Sequence, residues 1–439
     1  MQFTATEVAQ AVNGALIGDD VTIDGVGIDS RIVSPGQLFV PIVAERDGHE
    51  FVTAAATAGA SAYLTSQGTQ PGVTLPAITV TDTAAALADL GGIARDRLPD
   101  RIVGVTGSVG KTSTKDLLAG ALATTFRTAA SEKSFNNELG LPMTLANATP
   151  DTEAVVVEMG ARGIGHIDLL CEIARPTVGI VTRVEGVHLE LFGSIESVAR
   201  AKGELVESLP VDGLAVLNAD DERVAAMADR TDAAVVTFGL TATADVYATD
   251  VVLDDQLRAS FRLHTPWGET DVRLGARGEH QVPNALAAAA VAGWLGVPID
   301  TIPSGLLGAE LSGLRMELVT TSAGVTILND AYNANPTSMA AALQSLAALD
   351  AQRRFAVLGT MAELGDDSAP QHAAIAERAR ALGIDVIAVD EPDYGPSVRH
   401  VVGIDDAVAA LGDLTEADAV LVKGSRVAAL ERVAAVLQD

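Results

Sequence analysis

Apolar residues occur along this chain in short, nearly continuous runs separated by helical patterns. Four such runs are Ile102–Val105, Ala154–Val157, Val178–Val181 and Ala215–Leu217. A continuous apolar run is typical of a strand that is covered by helices on both faces. Alternation of such strands with helical segments, from residue 101 to about residue 308, predicts a series of parallel α/β units.

The pattern of apolar runs and turn residues changes twice along the chain. Residues 1–82 mix short apolar runs with turn residues, and a helical segment at Thr83–Arg97 leads into the α/β block described above. A third block, residues 312–439, alternates again, with apolar runs such as Phe355–Leu358 and Ala419–Val422. With about 150 residues as the usual size of a domain, 439 residues predict three domains, at 1–82, 83–311 and 312–439.

Composition narrows the class of protein. The chain is 48% hydrophobic and 20% charged, which supports folded cores rather than disorder. A net charge of −29 argues against binding to nucleic acid, which requires neutralisation of phosphates. One cysteine, Cys171, excludes an intramolecular disulfide framework. The N-terminus shows no secretory pattern, and the apolar stretch Ala285–Val297 is too short to span a bilayer, so we expect a cytoplasmic protein without membrane insertion.

Lysine is scarce in this chain. Only five lysines occur among the 29 basic residues, at positions 111, 115, 133, 202 and 423. A lysine offers a compact ammonium and, once deprotonated, a nucleophilic amine, neither of which arginine supplies. Codon bias explains the scarcity but not the positions, so the remaining lysines are candidates for chemistry.

Residues 102–112 read as a strand, a glycine-rich turn and the start of a helix. The turn Gly107-Ser108-Val-Gly110 is followed by Lys111 and Thr112. Backbone N–H groups of such a turn bind phosphate, the lysine adds positive charge, and the threonine hydroxyl can bind Mg²⁺. The segment is shorter than the strict GxxxxGK[ST] pattern, yet its ending favours a phosphate-binding loop over an ordinary strand–helix turn.

Two polar residues follow neighbouring predicted strands, and a third lies on a helix further along. Glu158 directly follows Ala154–Val157, and His188 follows Val178–Val181 after a short loop. A buried carboxylate at a strand end is costly unless it is paired or bound to metal. A histidine there is more often a structural hydrogen-bonding group than a ligand, so both interpretations of His188 stay open. Lys202 lies in a helical segment beyond this strand, and its alternative interpretation is a solvated helix lysine.

The central block contains a set of distinctive segments: Thr106–Thr112, Ser134–Pro142, Glu158-Met-Gly, His188 with Phe192-Gly-Ser, Ala201-Lys-Gly-Glu, and Gly278–Ala288. Together these segments resemble the central domain of the Mur ligases, the ATP-dependent amide ligases of peptidoglycan synthesis, with Asn284 at the matching asparagine.

The outer blocks add to the resemblance. Near the N-terminus, Asp29-Ser-Arg, Gly36–Val40 and Asp47-Gly-His are similar to a uridine-nucleotide-binding domain of the family. In the third block, Asp330–Met339, Leu358–Gly365 and Val422–Arg426 are similar to the member that adds D-alanyl-D-alanine. The Asp-Asn-Pro-Arg and Gly-Lys-Gly-His-Glu segments of the sibling that adds the third peptide residue are absent from the chain.

The resemblance implies an α/β fold with an N-terminal uridine-nucleotide-binding domain, a central P-loop ATPase-like parallel-sheet domain and a C-terminal Rossmann-like domain. It implies that the carboxylate of UDP-MurNAc-tripeptide attacks the γ-phosphate of ATP and that D-alanyl-D-alanine then attacks the acyl phosphate. It also implies two Mg²⁺ ions, a carbamate formed from CO₂ on Lys202, and a monomer. The alternative for Lys202 is that it pairs with a phosphate or with Glu204.

The roles implied by the resemblance fall into four groups. Catalysis is assigned to Lys111, Glu158, His188 and Lys202, and metal binding to Thr112, Glu158, His188 and carbamylated Lys202. ATP binding is assigned to Gly107, Ser108, Gly110, Lys111, Thr112, Ser113, Asn284, Arg315 and Asp330. Substrate binding is assigned to Ser30, Arg31, Asp47, His49, Asn136, Asn137, Tyr332, Asn333 and Asn335.

The sequence departs from the family pattern at three positions: Arg183 and Glu185 add opposite charges before His188, and Thr360 stands where aspartate is usual. Two alternatives remain at this stage. One is a sibling ligase, either the third-residue-adding enzyme or a folylpolyglutamate-synthase-like protein. The other is a P-loop protein that hydrolyses nucleotide as a switch. A switch protein needs neither a uridine-nucleotide domain nor the Lys202 segment, so both features favour a ligase.

Overall fold

The three blocks of the sequence form three separate β-sheets with their helices. The structure is a computed structural model, and it describes residues 1–186 and 189–438. The sheets lie within residues 15–79, 102–277 and 317–423, with a further two-stranded pair at the N-terminus. This α/β architecture confirms the predicted fold class, whereas the boundaries at 82/83 and 311/312 remain predictions.

The N-terminal region contains a five-stranded sheet, in the order β2-β7-β6-β5-β4, and an antiparallel pair of β1 with β3. In the sheet only β2 is antiparallel to its neighbour. The elements are β1 (Gln2–Thr4), α1 (Ala5–Ala11), β2 (Ala15–Ile17), β3 (Thr22–Asp24), β4 (Val26–Gly27), β5 (Leu38–Phe39), α2 (Val52–Ala58), β6 (Ala62–Thr65) and β7 (Ala77–Thr79).

The central region is built on a nine-stranded sheet, in the order β16-β15-β14-β13-β12-β11-β8-β10-β9. Its elements are α3 (Thr83–Asp96), β8 (Ile102–Thr106), α4 (Lys111–Ala123), β9 (Thr128–Ala130), α5 (Gly140–Asn147), β10 (Ala154–Glu158), α6 (His166–Ala174), β11 (Val178–Val181), α7 (Leu189–Phe192), α8 (Ile195–Glu207), β12 (Leu214–Asn218), α9 (Glu222–Ala225), β13 (Ala234–Gly239), β14 (Val246–Leu253), β15 (Arg258–Thr265), β16 (Gly268–Arg277), α10 (Gln281–Trp294) and α11 (Ile302–Leu307).

The central strands β8, β10, β11 and β12 are buried along their whole length. One apolar core, with α6 and α8, covers one face of the sheet, and another, with α4 and α10, covers the other face. The four continuous apolar runs of the sequence are therefore strands covered on both sides, as predicted. β8 lies between β10 and β11, so the chain reverses its direction of strand addition at β8, which is where open α/β sheets bind ligands.

One part of the central sheet differs from the predicted parallel series. β14, β15 and β16 form an antiparallel meander on the edge of the sheet. β15 alternates half-buried and buried residues, the pattern of a strand with one covered face. Such strands lack the continuous apolar run on which the sequence-based prediction relied, and a short turn joins β15 to β16 without a crossover helix.

The C-terminal region holds a six-stranded sheet, in the order β17-β18-β22-β19-β20-β21, in which only β17 is antiparallel. Its elements are β17 (Glu317–Thr320), β18 (Thr326–Asn329), α12 (Pro336–Ala348), β19 (Arg353–Leu358), α13 (Ser368–Ala381), β20 (Asp385–Val389), β21 (Arg399–Val401), α14 (Gly403–Leu411), β22 (Asp418–Lys423) and α15 (Glu431–Gln438). α12 and α13 pack on one face and α14 and α15 on the other, which is a doubly wound arrangement.

Candidate active site

The loop between β8 and α4 needs glycine at two positions. Gly107 has φ +149° and Gly110 has φ +84°, which are conformations that favour glycine. A Cβ atom on Gly107 would lie 1.9 Å from the hydroxyl of Thr182, and one on Gly110 would lie 2.5 Å from the amide oxygen of Asn284. The loop thus turns tightly onto the N-terminus of α4, whose first N–H groups lack helical partners and suit a phosphate.

Lys111, the first residue of α4, folds back over this loop. Its Nζ donates to the carbonyl oxygens of Gly107 (2.7 Å) and Ser108 (3.3 Å). Burial lowers the pKa of Lys111, the charge of Glu158 opposes that shift, and the charge of Arg315 adds to it. The ammonium therefore lies at the loop, with an acid and a second cation nearby.

Glu158 ends β10 beside this loop, because β10 is the parallel neighbour of β8. Its side chain is buried, with the residue 1% exposed. Oε1 accepts a hydrogen bond from the side-chain amide of Asn136 (2.8 Å), whereas Oε2 has no hydrogen-bond partner among the described residues. A buried carboxylate oxygen without a partner is costly, and a divalent cation would satisfy it. The residues present thus fit a Mg²⁺ ion at this position.

Lys202 lies on α8 and is 3% exposed. Within residues 1–186 and 189–438 its ammonium makes no hydrogen bond or ion pair. Burial, and secondly the charge of Lys111, hold the pKa of Lys202 well below its usual value. Glu204 does not pair with it, because the two carboxylate oxygens of Glu204 accept from the backbone N–H groups of Gly165 (2.6 Å) and Asp168 (3.1 Å). Burial and the charge of Lys111 therefore both shift the Lys202 side chain towards its neutral form.

The other residues assigned to ATP line the same cavity as this loop. His188, assigned to catalysis and metal binding, lies outside the described residues. Thr112 and Ser113 are buried at the start of α4. The Thr112 hydroxyl accepts a hydrogen bond from Arg315 Nη2 (2.9 Å). Asn284, on α10, accepts from the hydroxyl of Thr114 (3.3 Å) and reaches the loop at Gly110. Three separate segments of the chain thus meet at the glycine loop.

The C-terminal region closes over this site through an arginine and a tyrosine. The guanidinium of Arg315 stacks on the ring of Tyr332, 4.4 Å from its centroid, while it donates to Thr112. The Tyr332 hydroxyl forms a short hydrogen bond with the hydroxyl of Ser134 in the central region. These contacts hold the two regions together across the site.

Asp330, Asn333 and Asn335 shape the loop that carries Tyr332. Lys423 Nζ donates to Asp330 Oδ2 (2.5 Å) and to the Asn333 carbonyl (2.8 Å). The side chain of Asn335 accepts from the backbone N–H of Ser338 (2.9 Å) and caps α12. Asp330 and Asn335 thus have structural partners, although both also face the site.

A single cavity of about 930 Å³ collects most of the predicted site residues. Its lining includes Gly107, Ser108, Gly110, Lys111, Thr112, Ser113, Asn136, Asn137, Glu158, Lys202, Asn284, Arg315, Asp330, Tyr332, Asn333 and Asn335. The central and C-terminal regions both contribute to this cleft, which brings these residues together, and the roles assigned to them stay predictions.

The predicted residues of the N-terminal region do not line this cavity. Arg31, whose side chain is 85% exposed, pairs with Asp29 (2.6 Å), and its hydrogen bonds lower the pKa of Asp29 to about 2. Ser30 lies between these two residues. Hydrogen bonds to the Asp29 carboxylate therefore hold the turn that contains Ser30 and Arg31.

The second N-terminal motif is organised by a buried histidine. The backbone N–H of Ser66 donates to His49 Nε2 (3.1 Å), so the ring proton lies on Nδ1 and is donated to Asp47 Oδ1 (2.6 Å). The other oxygen of Asp47 accepts from the side-chain amide of Gln67 (2.5 Å). His49 is 4% exposed. The buried ring of His49 therefore fixes the loop that carries Asp47. Only the exposed edge of this loop is accessible to a ligand.

Several residues that face the cavity carried no assignment from the sequence. Arg162, His166 and Glu279 line it, and Ser134 makes the contact to the C-terminal region described above. Ser134 and Glu279 lie in segments that carry the family resemblance but had no role assigned, and no local pattern distinguishes Arg162 or His166.

The departures from the family pattern have direct partners. Arg183 pairs with Glu185 (3.2 Å), so the two added charges compensate each other. Glu185 also accepts a hydrogen bond from Thr337 at the start of α12, and burial raises its pKa. The carbonyl of Thr360 accepts the backbone N–H of Ser425 (2.9 Å), a contact that any residue there could make.

A second group of potential metal ligands within the described ranges does not suit a metal. His372, Glu391 and Asp393 lie close together in the C-terminal region. His372 Nε2 accepts the backbone N–H of Met361 (2.8 Å), and Nδ1 donates to the carbonyl of Ser368 (2.8 Å). Both ring nitrogens are thus used, and no lone pair of the neutral ring remains for an ion.

Comparison with known proteins gives matches over most of the chain. Residues 105–292 match the Mur ligase middle domain, residues 314–426 the glutamate ligase domain of Mur ligases, and residues 22–95 the catalytic domain of the Mur ligase family. A UDP-N-acetylmuramoyl-tripeptide–D-alanyl-D-alanine ligase of Mycobacterium tuberculosis is 38% identical, over 100% of this chain and 98% of the relative.

Solved structures agree with the sequence relatives. The crystal structure of MurF from Acinetobacter baumannii superposes with a TM-score of 0.89 at 30% identity, covering 100% of this chain and 99% of that one. The MurF ligase from Thermotoga maritima in complex with ADP gives 0.81 at 28% identity, covering 94% and 97%. Among the described residues, no helix is long and apolar enough to cross a membrane.

Proposed function

The chain belongs to the Mur ligase family, and from that premise we propose that it joins D-alanyl-D-alanine to UDP-MurNAc-tripeptide at the expense of ATP. The relatives that match along the whole chain bear the name of this ligase. The observation that carries the proposal is one cleft lined by a glycine loop, Lys111, Glu158 and the buried Lys202, in which Glu158 Oε2 has no hydrogen-bond partner among the described residues.

ATP binds at the loop between β8 and α4. The N–H groups of the loop and of the α4 N-terminus hold the phosphates, and Lys111 adds positive charge to them. Asn284 lies against Gly110 and marks the side of the cavity taken by the nucleoside. Arg315 reaches the hydroxyl of Thr112, so it is placed to meet the terminal phosphate.

Two Mg²⁺ ions are held by Thr112, Glu158, His188 and carbamylated Lys202. When bound, they neutralise charge between a carboxylate and a triphosphate that would otherwise repel each other. The unpartnered Oε2 of Glu158 supports this assignment. For His188 the proposal rests on the family resemblance, and we expect His188→Ala mainly to raise the Mg²⁺ concentration that activity requires.

Lys202 works as a carbamate. Its neutral amine attacks CO₂, a C–N bond forms, and one proton leaves to solvent, which turns a potential cation into an anion. The carbamate requires a neutral amine, which the burial of Lys202 and the nearby charge of Lys111 both favour. A bare ammonium at the same place would repel a divalent cation.

The reaction then needs two displacements in a closed cleft. The terminal carboxylate of the tripeptide attacks the γ-phosphate and ADP leaves, and the amino group of D-alanyl-D-alanine attacks the acyl phosphate and phosphate leaves. Residues on both walls of the cleft hold the two peptides: Asn136 and Asn137 on the central side and Tyr332, Asn333 and Asn335 on the C-terminal side. Closure of the domains keeps water from the acyl phosphate.

The N-terminal region holds the uridine diphosphate end of the substrate, far from the reacting carboxylate. Ser30 and Arg31 lie on one loop and Asp47 and His49 on another, each fixed by the hydrogen bonds described above. Binding energy at this distance keeps a long substrate in register with the ATP site. The protein works as a monomer in the cytoplasm, where ATP and the nucleotide-linked peptide are available.

The test is an assay of ADP release with a panel of acceptors. ADP release should require both UDP-MurNAc-tripeptide and D-alanyl-D-alanine, and the product should gain the mass of two alanine residues. Equal turnover of UDP-MurNAc-dipeptide with a diamino acid would move the assignment to the sibling ligase. ADP release without either peptide substrate would favour a nucleotide switch.

A further inference from the structure

Lys115 is a buried lysine that the proposed reaction does not use. It lies on α4, four residues after Lys111, and it is 2% exposed. Its Nζ donates to the carbonyl oxygens of Ser131 (2.6 Å) and Lys133 (2.9 Å) and lies 2.8 Å from Asp116 Oδ1. The three N–H bonds of the ammonium thus have three acceptors.

The two carbonyl groups belong to one irregular turn, residues 131–137, which follows β9. Lys133 has φ +49° within this turn, a left-handed conformation that is unfavourable for a residue with a side chain. Such a conformation persists only where surrounding contacts impose it. The ammonium of Lys115, bound to carbonyls on both sides of Glu132, is a contact of that kind.

The same turn positions Glu158. The hydroxyl of Ser131 accepts the backbone N–H of Glu158 (3.2 Å), and the side-chain amide of Asn136 donates to its Oε1 (2.8 Å). The backbone carbonyl of Asn136 also accepts the N–H of Gly160 (2.7 Å). Asn136 binds one carboxylate oxygen, and the other has no hydrogen-bond partner among residues 1–186 and 189–438, so the direction of that oxygen depends on where the turn lies.

Asp116 completes the arrangement on the other side of the lysine. Its Oδ1 faces Lys115 and its Oδ2 accepts the backbone N–H of Ser312 (2.8 Å). Ser312 lies where the chain passes from the central region towards the C-terminal one. The ion pair therefore connects the turn beside Glu158 with the start of the C-terminal region.

We propose that Lys115 is a positioning residue for the metal site: its ammonium fixes the 131–137 turn so that Asn136 orients Glu158 towards the cation. This inference rests on the proposed function, because it assumes a Mg²⁺ ion bound at Glu158. A buried ion pair is weak evidence for stability, since well-packed apolar residues of similar volume often replace one without loss. A role in orienting a metal ligand explains why a lysine stands here in a chain that otherwise uses arginine.

The test compares Lys115→Met with two matched variants. Lys133→Met removes an exposed lysine from the same turn and should change nothing. Asp116→Asn leaves Lys115 on its two carbonyls and keeps an oxygen for Ser312, so it should lower the unfolding temperature without disturbing Glu158. The readout is binding of Mn²⁺, used in place of Mg²⁺, to the full-length protein with ADP, followed by electron paramagnetic resonance. The unfolding temperature is measured on every variant.

Partners that orient a metal ligand are worth about 10–100-fold in metal affinity. We expect Lys115→Met to weaken Mn²⁺ binding by at least about tenfold, while ADP binding without metal stays unchanged. Mn²⁺ binding of wild-type strength in Lys115→Met, or an equal loss in Asp116→Asn or Lys133→Met, would overturn the proposal. If Lys115→Met does not unfold cooperatively, Lys115→Gln, which keeps an amide donor, is judged by the same criteria. A wild-type protein that binds no Mn²⁺ with ADP would instead contradict the proposed function.

Discussion

Replacement of Lys202 by arginine separates a carbamate from a simple positive charge. The side chain is 3% exposed and has no hydrogen-bond or ion-pair partner within the described ranges, so the substitution disturbs no existing pair. Arginine keeps the positive charge, but its guanidinium stays protonated and cannot take up CO₂. Alanine removes the amine as well as the charge and serves as the reference.

The expected fall in kcat follows from the negative charge that the site loses. Loss of one electrostatic stabiliser lowers kcat by about 10²–10³, which corresponds to about 2.7–4 kcal/mol. Lys202→Ala removes the anion and should fall in this range. Lys202→Arg replaces an anion by a cation next to Lys111, so it should be at least as inactive.

Two assays follow the prediction. Activity is measured in buffers with and without added bicarbonate, and ¹³C-labelled bicarbonate reveals the carbamate by nuclear magnetic resonance in the wild type and in neither variant. Short-chain carboxylic acids should partly restore activity to Lys202→Ala, because they return an anion to the site. Wild-type activity in Lys202→Arg would refute the reasoning, since only the positive charge would then have mattered.

Three further predictions concern the nucleotide, the distant substrate end and the stability of the C-terminal region. Lys111→Ala and Glu158→Ala should each lower kcat at least about a hundredfold, and near-normal activity of Glu158→Ala at low Mg²⁺ would remove that residue from the metal site. Ser30→Ala should weaken binding of the UDP-substrate and leave ATP affinity unchanged in isothermal titration, and a fall in ATP affinity would show that the N-terminal region had been misassigned. Hydrogen bonds from Arg353 lower the pKa of Asp418 to about 2, so the stability that they contribute is present above the pKa of the unfolded state and is lost as the pH falls towards 2. The free energy of unfolding of Asp418→Asn should therefore fall less between pH 5 and pH 2 than that of the wild type. Parallel curves of unfolding free energy against pH for the two proteins would contradict this.

The sequence predicted the elements whose pattern is local. Continuous apolar runs marked β8, β10, β11 and β12 because parallel strands are buried on both faces. The sequence did not predict the antiparallel meander β14–β16, because a strand with one covered face has an apolar residue only at every second position. Local pattern thus located the centre of the sheet better than its edge.

The residues of the candidate site also fall into two groups: those that a local sequence pattern predicts and those that depend on contacts between distant segments. The position of Glu158 could be predicted because a carboxylate at the end of a buried strand needs a partner. The glycine loop could be predicted because its Gly-Lys-Thr ending follows an apolar strand. The contact of Tyr332 with Ser134, and that of Arg315 with Thr112, join residues about 200 positions apart, and no local pattern encodes them. The position of Lys115 could be suspected from its rarity, but its acceptors are backbone carbonyls that any sequence would provide.

The central claim is that the cleft activates a peptide carboxylate with ATP and transfers it to D-alanyl-D-alanine. The direct measurement uses UDP-MurNAc-tripeptide with ¹⁸O in its terminal carboxylate and follows both products by mass spectrometry. Attack of the carboxylate on the γ-phosphate predicts one ¹⁸O in the released phosphate, one retained in the new amide, and a peptide heavier by two alanine residues. Release of unlabelled phosphate, or a labelled phosphate without a lengthened peptide, would contradict the account.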